Sequence, residues 1–250
     1  MLLTVDIGNT NITLGIFNGD MYYKEFRLPS DRNLSQEDYI SLLRELLKDL
    51  DIDGCVVASV VEELDAKMKY ALDEVLSLNS IFISGTMDLG VGVISDTPEE
   101  IGADRLANAA AVADFKGAPV IIVDFGTATT FDILNEKGEF FGGIIAPGVK
   151  TQLKSLEQAT SKLPLIEAKE SPAAIAYNTE DAILSGVVRG SACMVDGLII
   201  QCEKELGQKA KLVATGGLSG LICRYVTRKF DRIDPILTLK GLKTIYSNLK

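Results

Sequence analysis

Two stretches of the chain carry the same order of apolar and polar positions. In each, an apolar run ends in an Asp, a Gly and Thr turn follows, and two further apolar runs come after it. These runs cover residues 2–5, 12–17 and 21–26 in the first stretch and residues 120–123, 129–134 and 139–145 in the second. Short apolar runs between turn residues are typical of β-strands. The repetition predicts an internal duplication, with three strands and one carboxylate, Asp6 or Asp124, in each half.

Helical and extended patterns alternate through the rest of both halves. Apolar residues at a spacing near 3.6 predict helices at residues 36–50, 61–78, 98–112, 150–158, 181–204 and 239–249, and short apolar runs predict strands at residues 55–60, 81–83 and 212–215. Residues 162–178 have no clear period. Gly-Ala-Pro at residues 117–119 marks the boundary between the halves. We therefore predict an α/β protein with domains at residues 1–117 and 118–250.

Composition narrows the classes of function. The chain has no histidine, which excludes Ser-His-Asp and Cys-His catalytic sites and histidine metal centres. Neither a P-loop nor a GxGxxG turn is present. The net charge of −10 argues against nucleic acid as a partner, because phosphate backbones are bound by clustered Lys and Arg. The sequence contains no apolar run of about 20 residues and no export signal, and its four cysteines fit reduced thiols. We therefore predict a cytoplasmic protein without membrane contact.

The repeated Asp-x-Gly-x-Thr motif suits a phosphate site. Glycine allows the backbone to approach a ligand closely, and amide and Thr hydroxyl groups donate hydrogen bonds to phosphate oxygens. The Asp would instead hold Mg²⁺, directly or through water. The alternative is a pair of ordinary hairpin turns. Two copies, together with Thr215-Gly216-Gly217 after a late strand, favour nucleotide binding.

These residues resemble the actin, hexokinase and Hsp70 superfamily, whose two duplicated ribonuclease-H-like domains close on ATP in an interdomain cleft. Further blocks narrow the resemblance to type III pantothenate kinase. They are Val-Asp-Ile-Gly-Asn-Thr-Asn at 5–11, Ile-Gly-Ala-Asp-Arg at 101–105, Asp-Phe-Gly-Thr-Ala-Thr-Thr at 124–130, Ala-Thr-Gly-Gly-Leu at 214–218 and Leu-Thr-Leu-Lys-Gly-Leu at 237–242. The blocks extend from the first strand to the last helix, so the resemblance covers nearly the whole chain.

The resemblance implies a transferase of coenzyme A biosynthesis that phosphorylates pantothenate to 4′-phosphopantothenate with ATP, Mg²⁺ and a monovalent cation (K⁺ or NH₄⁺), and that forms a homodimer. It implies the following roles. The ATP-binding residues are Asp6, Ile7, Gly8, Asn9, Thr10, Asn11, Ile12, Thr13 and Thr127. Pantothenate is bound by Gly102, Ala103, Asp104, Arg105 and Thr179, with Asp104 as the proton acceptor. Asp124 and Asp6 are the metal ligands, Asp124 corresponding to the monovalent-cation ligand.

Two alternatives stay open, and one position departs from the family pattern. Another kinase or a phosphatase of the same superfamily would share the ATP residues and differ in the second pocket. A non-catalytic regulator on the same fold is the other alternative. Ser95 stands where relatives commonly carry a Tyr, so the shape of the pantothenate pocket is less well defined by the resemblance than the use of ATP.

Overall fold

The computed structural model of the protein describes residues 1–161 and 163–249. This part of the chain forms two compact units. The first is Met1–Ala113 together with the segment that begins at Leu237, and the second is Asp114–Ile236. Each unit is built around one mixed β-sheet with helices.

The first unit has five described strands and four helices. The strands are β1 (Leu2–Ile7), β2 (Asn11–Asn18), β3 (Met21–Pro29), β4 (Gly54–Ser59) and β5 (Ile81–Phe82), and the helices are α1 (Gln36–Leu47), α2 (Glu62–Leu76), α3 (Ala103–Ala110) and α8 (Leu237–Asn248). The sheet order is β3-β2-β1-β4-β5, with β1 antiparallel to β2 and parallel to β4. One face of the sheet packs against α1 and α2, and the other packs against α3 and α8.

The second unit repeats this plan within the described residues. Its strands are β6 (Val120–Phe125), β7 (Ala128–Leu134), β8 (Phe140–Pro147), β9 (Lys211–Thr215) and β10 (Arg232–Ile233), and its helices are α4 (Val149–Ala159), α5 (Thr179–Leu184), α6 (Gly190–Leu206) and α7 (Ser219–Ile222). The sheet order is β8-β7-β6-β9-β10, and β6 is antiparallel to β7 and parallel to β9. The two sheets therefore have the same strand order and directions, and the predicted duplication is confirmed.

The long helical segment Thr179–Leu206 is α5 and α6 joined by a π-helical turn at Ser185–Arg189. By length and composition alone it could cross a membrane, but 44% of its most apolar window is buried inside the protein. Leu184, Val188 and Val195 belong to the core of the second unit. The core helix of a soluble protein passes the same test of length and composition, so this segment is only weak evidence for a membrane span.

A buried charge, Glu203, fixes the C-terminal end of α6. Its carboxylate accepts hydrogen bonds from Arg228 at 2.7 and 2.8 Å and from Lys209 Nζ at 2.7 Å. Arg228 is the largest cause that lowers the pKa of Glu203 to about 2. The loop between α7 and β10 is therefore held to α6 by charge-assisted hydrogen bonds.

Two sequence predictions need correction. The helix predicted at residues 98–112 is a 3₁₀ turn, Pro98–Glu100, followed by the separate helix α3, because Ile101 and Gly102 have non-helical backbone torsions. The predicted second domain, 118–250, included the last helix, but α8 packs in the first unit. A Cβ atom at Gly241 would lie 1.8 Å from the carbonyl oxygen of Ala107, so α8 and α3 meet backbone to backbone.

Candidate active site

The first Asp-x-Gly-x-Thr motif forms the connection between β1 and β2. Asp6 is partly buried near the end of β1, opposite Thr13 of β2 and beside Ala58 of β4. The turn is closed by a hydrogen bond of 3.0 Å from the Gly8 N–H to the carbonyl oxygen of Asn11. This is the turn that the duplicated pattern predicts, with an acid at the strand end and a glycine after it.

Three predicted ATP-binding residues of this loop are exposed, and a following segment holds the loop in place. Asn9, Thr10 and Asn11 are exposed, whereas Ile7 and Ile12 are buried in the sheet. The Ser30 hydroxyl donates to the carbonyl oxygen of Gly8 at 2.5 Å. The loop therefore combines exposed residues with a conformation that hydrogen bonds hold in place.

The second motif repeats this geometry between β6 and β7. Asp124 is partly buried, opposite Thr130 of β7 and beside Thr215 of β9. The Gly126 N–H closes the turn by donating to the carbonyl oxygen of Ala128 at 3.0 Å. The register places Asp124 opposite Thr130 as it places Asp6 opposite Thr13, but the second turn is one residue shorter.

The Asp124 carboxylate lies against the backbone of the Thr-Gly-Gly turn that follows β9. A Cβ atom at Gly216 would lie 2.4 Å from Asp124 Oδ1 and 2.6 Å from the backbone nitrogen of Phe125. Gly216 also has a φ of +87°, which favours glycine. The structure thus joins two sequence motifs that are about ninety residues apart, and only glycine fits at the point where they meet.

The start of α4 packs on the second loop, a feature that the sequence patterns did not reveal. A Cβ atom at Gly148 would lie 2.4 Å from the carbonyl oxygen of Gly126. The Gly148 N–H donates to the carbonyl oxygen of Thr127 at 3.1 Å. The one signal in the sequence is the position of Gly148 directly after the third strand of the repeat.

The predicted pantothenate segment, Gly102 to Arg105, forms the start of α3 in the first unit, with Gly102 as the N-cap and Ala103 as the first helical residue. Val60 links it to the Asp6 loop. The Val60 N–H donates to the carbonyl oxygen of Ile7 at 3.0 Å, and Val60 Cγ1 lies 3.5 Å from where a Cβ atom would stand at Gly102. The start of α3 therefore lies beside the ends of β1 and β4, next to the first loop.

Asp104 occupies the second position of α3. Its Oδ1 accepts a hydrogen bond of 2.8 Å from the N–H of Arg105, and a Cβ atom at Gly102 would come within 2.6 Å of the same oxygen. Burial raises the pKa of the Asp104 carboxyl above its usual range, and the Arg105 N–H and the Arg105 charge oppose this rise. A carboxylate with a raised pKa is a stronger proton acceptor than a carboxylate with the ordinary pKa of an exposed Asp.

The remaining predicted substrate contact, Thr179, lies in the second unit. It is exposed at the first position of α5, where the side chain of Asn178 caps the helix by accepting the N–H of Asp181 at 2.9 Å. The predicted residues thus fall into two groups in the first unit that lie side by side, and two sites in the second unit. Ser95, at the departure from the family pattern, is exposed and accepts the N–H of Thr97 at 3.1 Å.

The donors near Asp6 and Asp124 fit hard cations. Carboxylate and hydroxyl oxygens suit Mg²⁺ and monovalent ions, and a Cβ atom at Gly216 would fill the space beside the Asp124 carboxylate. No group of three or more His, Cys, Asp or Glu that could hold a metal occurs within residues 1–161 and 163–249. A cation at either position would therefore take some of its ligands from phosphate oxygens or water.

A cavity of about 240 Å³ lies elsewhere in the second unit, between β8 and α6. Its lining includes Phe141, Ile144, Leu198 and Cys202 and none of the predicted site residues. The predicted site residues of each unit lie at strand ends and at helix starts, so this cavity is not part of the candidate site.

Comparison with known proteins agrees with this architecture. MreB 5 of Spiroplasma citri with bound AMPPNP matches with a TM-score of 0.56 at 12% identity, covering 99% of this chain and 97% of the other. A Campylobacter jejuni protein assigned to the Baf family of transcriptional activators matches with a TM-score of 0.62 at 22% identity, covering 99% and 98%. These matches show the actin-like fold and carry no information on function.

Sequence relatives are more specific. The family model of type III pantothenate kinase matches residues 2–201. The type III pantothenate kinase of Moorella thermoacetica is 42% identical over 98% of both chains, and that of Dehalococcoides mccartyi is 41% identical over 98% of this chain and 95% of its own length. The chain belongs to the type III pantothenate kinase family, the kinases of coenzyme A biosynthesis.

Proposed function

We propose that this protein transfers the terminal phosphoryl group of ATP to the primary hydroxyl of pantothenate, with Asp104 as the proton acceptor. The observation that carries the proposal is the position of Asp104, a carboxylate of raised pKa at the start of a helix that packs through Val60 beside the Asp6 loop. The proposed phosphate loop and the proposed general base thus lie at the same edge of one sheet, which supports the proposal. Phosphoryl transfer depends mainly on alignment and charge compensation, which this arrangement supplies.

The first loop, from Asp6 to Thr13, would bind the ATP phosphates. Asn9, Thr10 and Asn11 are exposed at the turn, which is where a ligand could approach the loop. Thr127, exposed in the equivalent turn of the second unit, would be a further ATP contact. Both assignments follow the resemblance to the family and are supported by the shared geometry of the two turns.

Two cations belong to the proposal. Asp6 would hold Mg²⁺, directly or through water, and Asp124 would hold a monovalent cation, K⁺ or NH₄⁺. Bound cations offset the negative charge of the phosphates. The partly buried positions of both carboxylates at strand ends, each opposite a Thr, are compatible with these roles. The assignment of the monovalent cation to Asp124 follows the resemblance, and Mg²⁺ at Asp6 is the arrangement that then remains.

Arg105 would bind the carboxylate of pantothenate, since a guanidinium matches a carboxylate in charge and geometry. Gly102 and Ala103 would form the backbone of this pocket, and Thr179 would contribute a hydroxyl. We further propose that the protein is a homodimer and acts in the cytoplasm, as the resemblance implies. Light scattering of the purified protein would test the dimer independently of activity.

A coupled kinase assay tests the reaction. Turnover with ATP and pantothenate is expected, with none above background when glucose, glycerol or water replaces pantothenate, and with a strong decrease when K⁺ and NH₄⁺ are omitted. Turnover with a sugar or with water instead would identify another enzyme of the superfamily. Binding to DNA in a gel-shift assay without any turnover would support a regulator. Pantothenate turnover that ignores monovalent ions would remove Asp124 from its proposed role.

A further inference from the structure

We propose that Ser30 and Thr151 are positioning residues that orient the peptide groups of the two phosphate loops toward ATP. The inference rests on the proposed function, and it concerns residues that lie outside the sequence motifs. Each residue comes from the segment that follows the third strand of its repeat, Ser30 after β3 and Thr151 in the first turn of α4 after β8. Each donates its hydroxyl to a carbonyl oxygen of the adjacent loop.

In the first loop, Ser30 makes two hydrogen bonds. Its hydroxyl donates to the carbonyl oxygen of Gly8 at 2.5 Å, and its backbone N–H donates to the carbonyl oxygen of Thr10 at 3.1 Å. The side chain of Asn9 between them accepts a hydrogen bond of 3.2 Å from Arg32. The segment from Ser30 to Arg32 therefore fixes three consecutive residues of the loop.

In the second loop, one carbonyl oxygen accepts hydrogen bonds from both a hydroxyl and a backbone N–H. The Thr151 hydroxyl donates to the carbonyl oxygen of Thr127 at 2.7 Å, and the Gly148 N–H donates to the same oxygen at 3.1 Å. The segment after the third strand thus supplies one hydroxyl and one N–H to the loop in each repeat. Because the sequences of the two segments differ, this shared arrangement points to a requirement of the loops themselves.

The geometry of the peptide bond gives the requirement a physical reason. In a trans peptide the N–H points away from the C=O of the same plane. When Ser30 holds the carbonyl of Gly8, the N–H of Asn9 is turned away from Ser30, and when Thr151 holds the carbonyl of Thr127, the N–H of Ala128 is turned away from Thr151. Carbonyl oxygens repel phosphate and N–H groups attract it. Without the Ser30 hydroxyl, the peptide group after the flexible Gly8 could rotate and present its oxygen to the ligand. Without the Thr151 hydroxyl, the carbonyl of Thr127 would lose one of its hydrogen bonds and keep the one from the N–H of Gly148.

The test compares hydroxyl removal at the two loops with hydroxyl removal elsewhere. Ser30→Ala and Thr151→Val remove the donors, and Ser30→Thr and Thr151→Ser retain them. Ser41→Ala and Thr244→Val are matched controls, since each hydroxyl donates to a carbonyl oxygen of its own helix, Glu37 and Lys240. KM for ATP, KM for pantothenate and the affinity for Mg²⁺ with AMPPNP by calorimetry are measured for each variant.

We expect Ser30→Ala and Thr151→Val each to raise KM for ATP and the dissociation constant of AMPPNP about 3- to 10-fold, the range of one net hydrogen bond. KM for pantothenate should change less than twofold. The double variant should show the product of the two effects, because the hydroxyls hold separate loops. The variants that retain a hydroxyl, and both controls, should bind nucleotide like the unaltered protein.

Unchanged nucleotide binding in Ser30→Ala and Thr151→Val would overturn the inference, as would an equal loss in the variants that retain the hydroxyl. If Ser30→Ala unfolds at a lower temperature than Ser41→Ala, Ser30→Cys takes its place as a weak donor of similar size, with an intermediate rise in KM expected. If the unaltered protein binds no nucleotide, the proposed function fails and this inference with it. An active protein with unaffected variants refutes this inference alone.

Discussion

Replacing Asp104 by Asn is the sharpest test of the proposed mechanism, because it removes one charge and almost no volume. The structure predicts that the local conformation survives. Asp104 Oδ1 accepts the N–H of Arg105 at 2.8 Å, and an Asn side-chain oxygen can accept the same bond. Gly102 leaves room for that oxygen, at 2.6 Å from where its Cβ atom would stand. The substitution therefore isolates the ability to accept a proton.

The expected loss is in turnover. A positioned general base contributes about 10²- to 10⁴-fold to a rate, which corresponds to about 3–5 kcal/mol of activation free energy. The raised pKa of Asp104 favours the upper part of this range, because a general base is most effective when its pKa is close to the working pH. The ATP loop is a separate structure that does not include Asp104, so the affinity for Mg²⁺ with ATP should be nearly intact.

The same substitution should not destabilise the protein. Burial raises the pKa of Asp104 in the folded state above its ordinary value of 3.8. At a pH between the unfolded-state pKa and the folded-state pKa, the folded state therefore binds more protons than the unfolded state. Stability gained from this group is present at low pH and is lost as pH rises through the folded-state pKa. At pH 7 the ionised carboxylate thus costs stability, and Asp104→Asn should unfold at an equal or higher temperature.

The assay is steady-state turnover over a range of pH, with calorimetry of nucleotide binding beside it. For the unaltered protein, kcat/KM for pantothenate should fall as pH decreases through the raised pKa of Asp104. The residual activity of Asp104→Asn should not show this decrease. Asp96→Asn, at an exposed position of the preceding loop, is the control. A variant that loses turnover and ATP affinity equally, or keeps turnover within about tenfold, would refute the role of Asp104 as base.

Three further predictions follow from contacts in the second unit. Gly216→Ala should weaken nucleotide binding and lower the free energy of unfolding by more than about 1 kcal/mol, because Gly216 has a positive φ and its Cβ atom would lie 2.4 Å from Asp124 Oδ1. Gly217→Ala is the control and should do neither, since no atom lies within 4 Å of where its Cβ atom would stand. Equal denaturation curves for the two variants would contradict this prediction. Asp124→Asn should abolish the stimulation of turnover by K⁺, measured as the ratio of turnover with and without the ion. If the variant keeps the ratio of the unaltered protein, Asp124 is not the cation ligand. Glu203→Gln should lower the free energy of unfolding by about 1.5–3 kcal/mol at pH 7, and the difference from the unaltered protein should disappear between pH 4.5 and about 2 in acid denaturation. Glu205→Gln, at an exposed position of the same helix, is the control, and an equal cost in both variants would contradict the prediction.

Much of the fold was predictable because its strands are short apolar runs punctuated by turn residues. The three strands of each repeat, and the helices α1, α2, α4, α6 and α8, occur where the pattern placed them. The strand β10 was missed because Arg232-Ile233 is not an apolar run, and the helix α7 was missed because four residues are too few to show a helical period. The break at Ile101 and Gly102 was also missed, since a helical spacing of apolar residues continues across it and only the backbone torsions reveal it.

The location of α8 shows a different limit of sequence analysis. The duplication suggested that the last helix belongs to the second half, but Gly241 lets α8 approach α3 at backbone distance, and the Thr238 hydroxyl donates to the side chain of Asn108 at 2.8 Å. These contacts join residues more than a hundred positions apart. No local period encodes them, so the assignment of a helix to a unit needed the tertiary structure.

The same limit applies to the site, and it explains why the motifs alone are not sufficient. The motif residues Asp6, Gly8 and Asp124 were predictable because strand, acid and glycine repeat in order. What holds them was not predictable: Gly216 packs on Asp124, and Ser30 holds the carbonyl of Gly8. Each support acts through backbone atoms, which leave little trace in the sequence. The two loops began as copies, and their supports have diverged, with the start of α3 beside the first loop and the Thr-Gly-Gly turn beside the second. Asp104, the proposed proton acceptor, lies near the first copy, and Gly216 lies against the Asp124 carboxylate in the second. The duplication therefore supplies the common framework, and the neighbours that differ between the copies supply the proposed difference in chemistry.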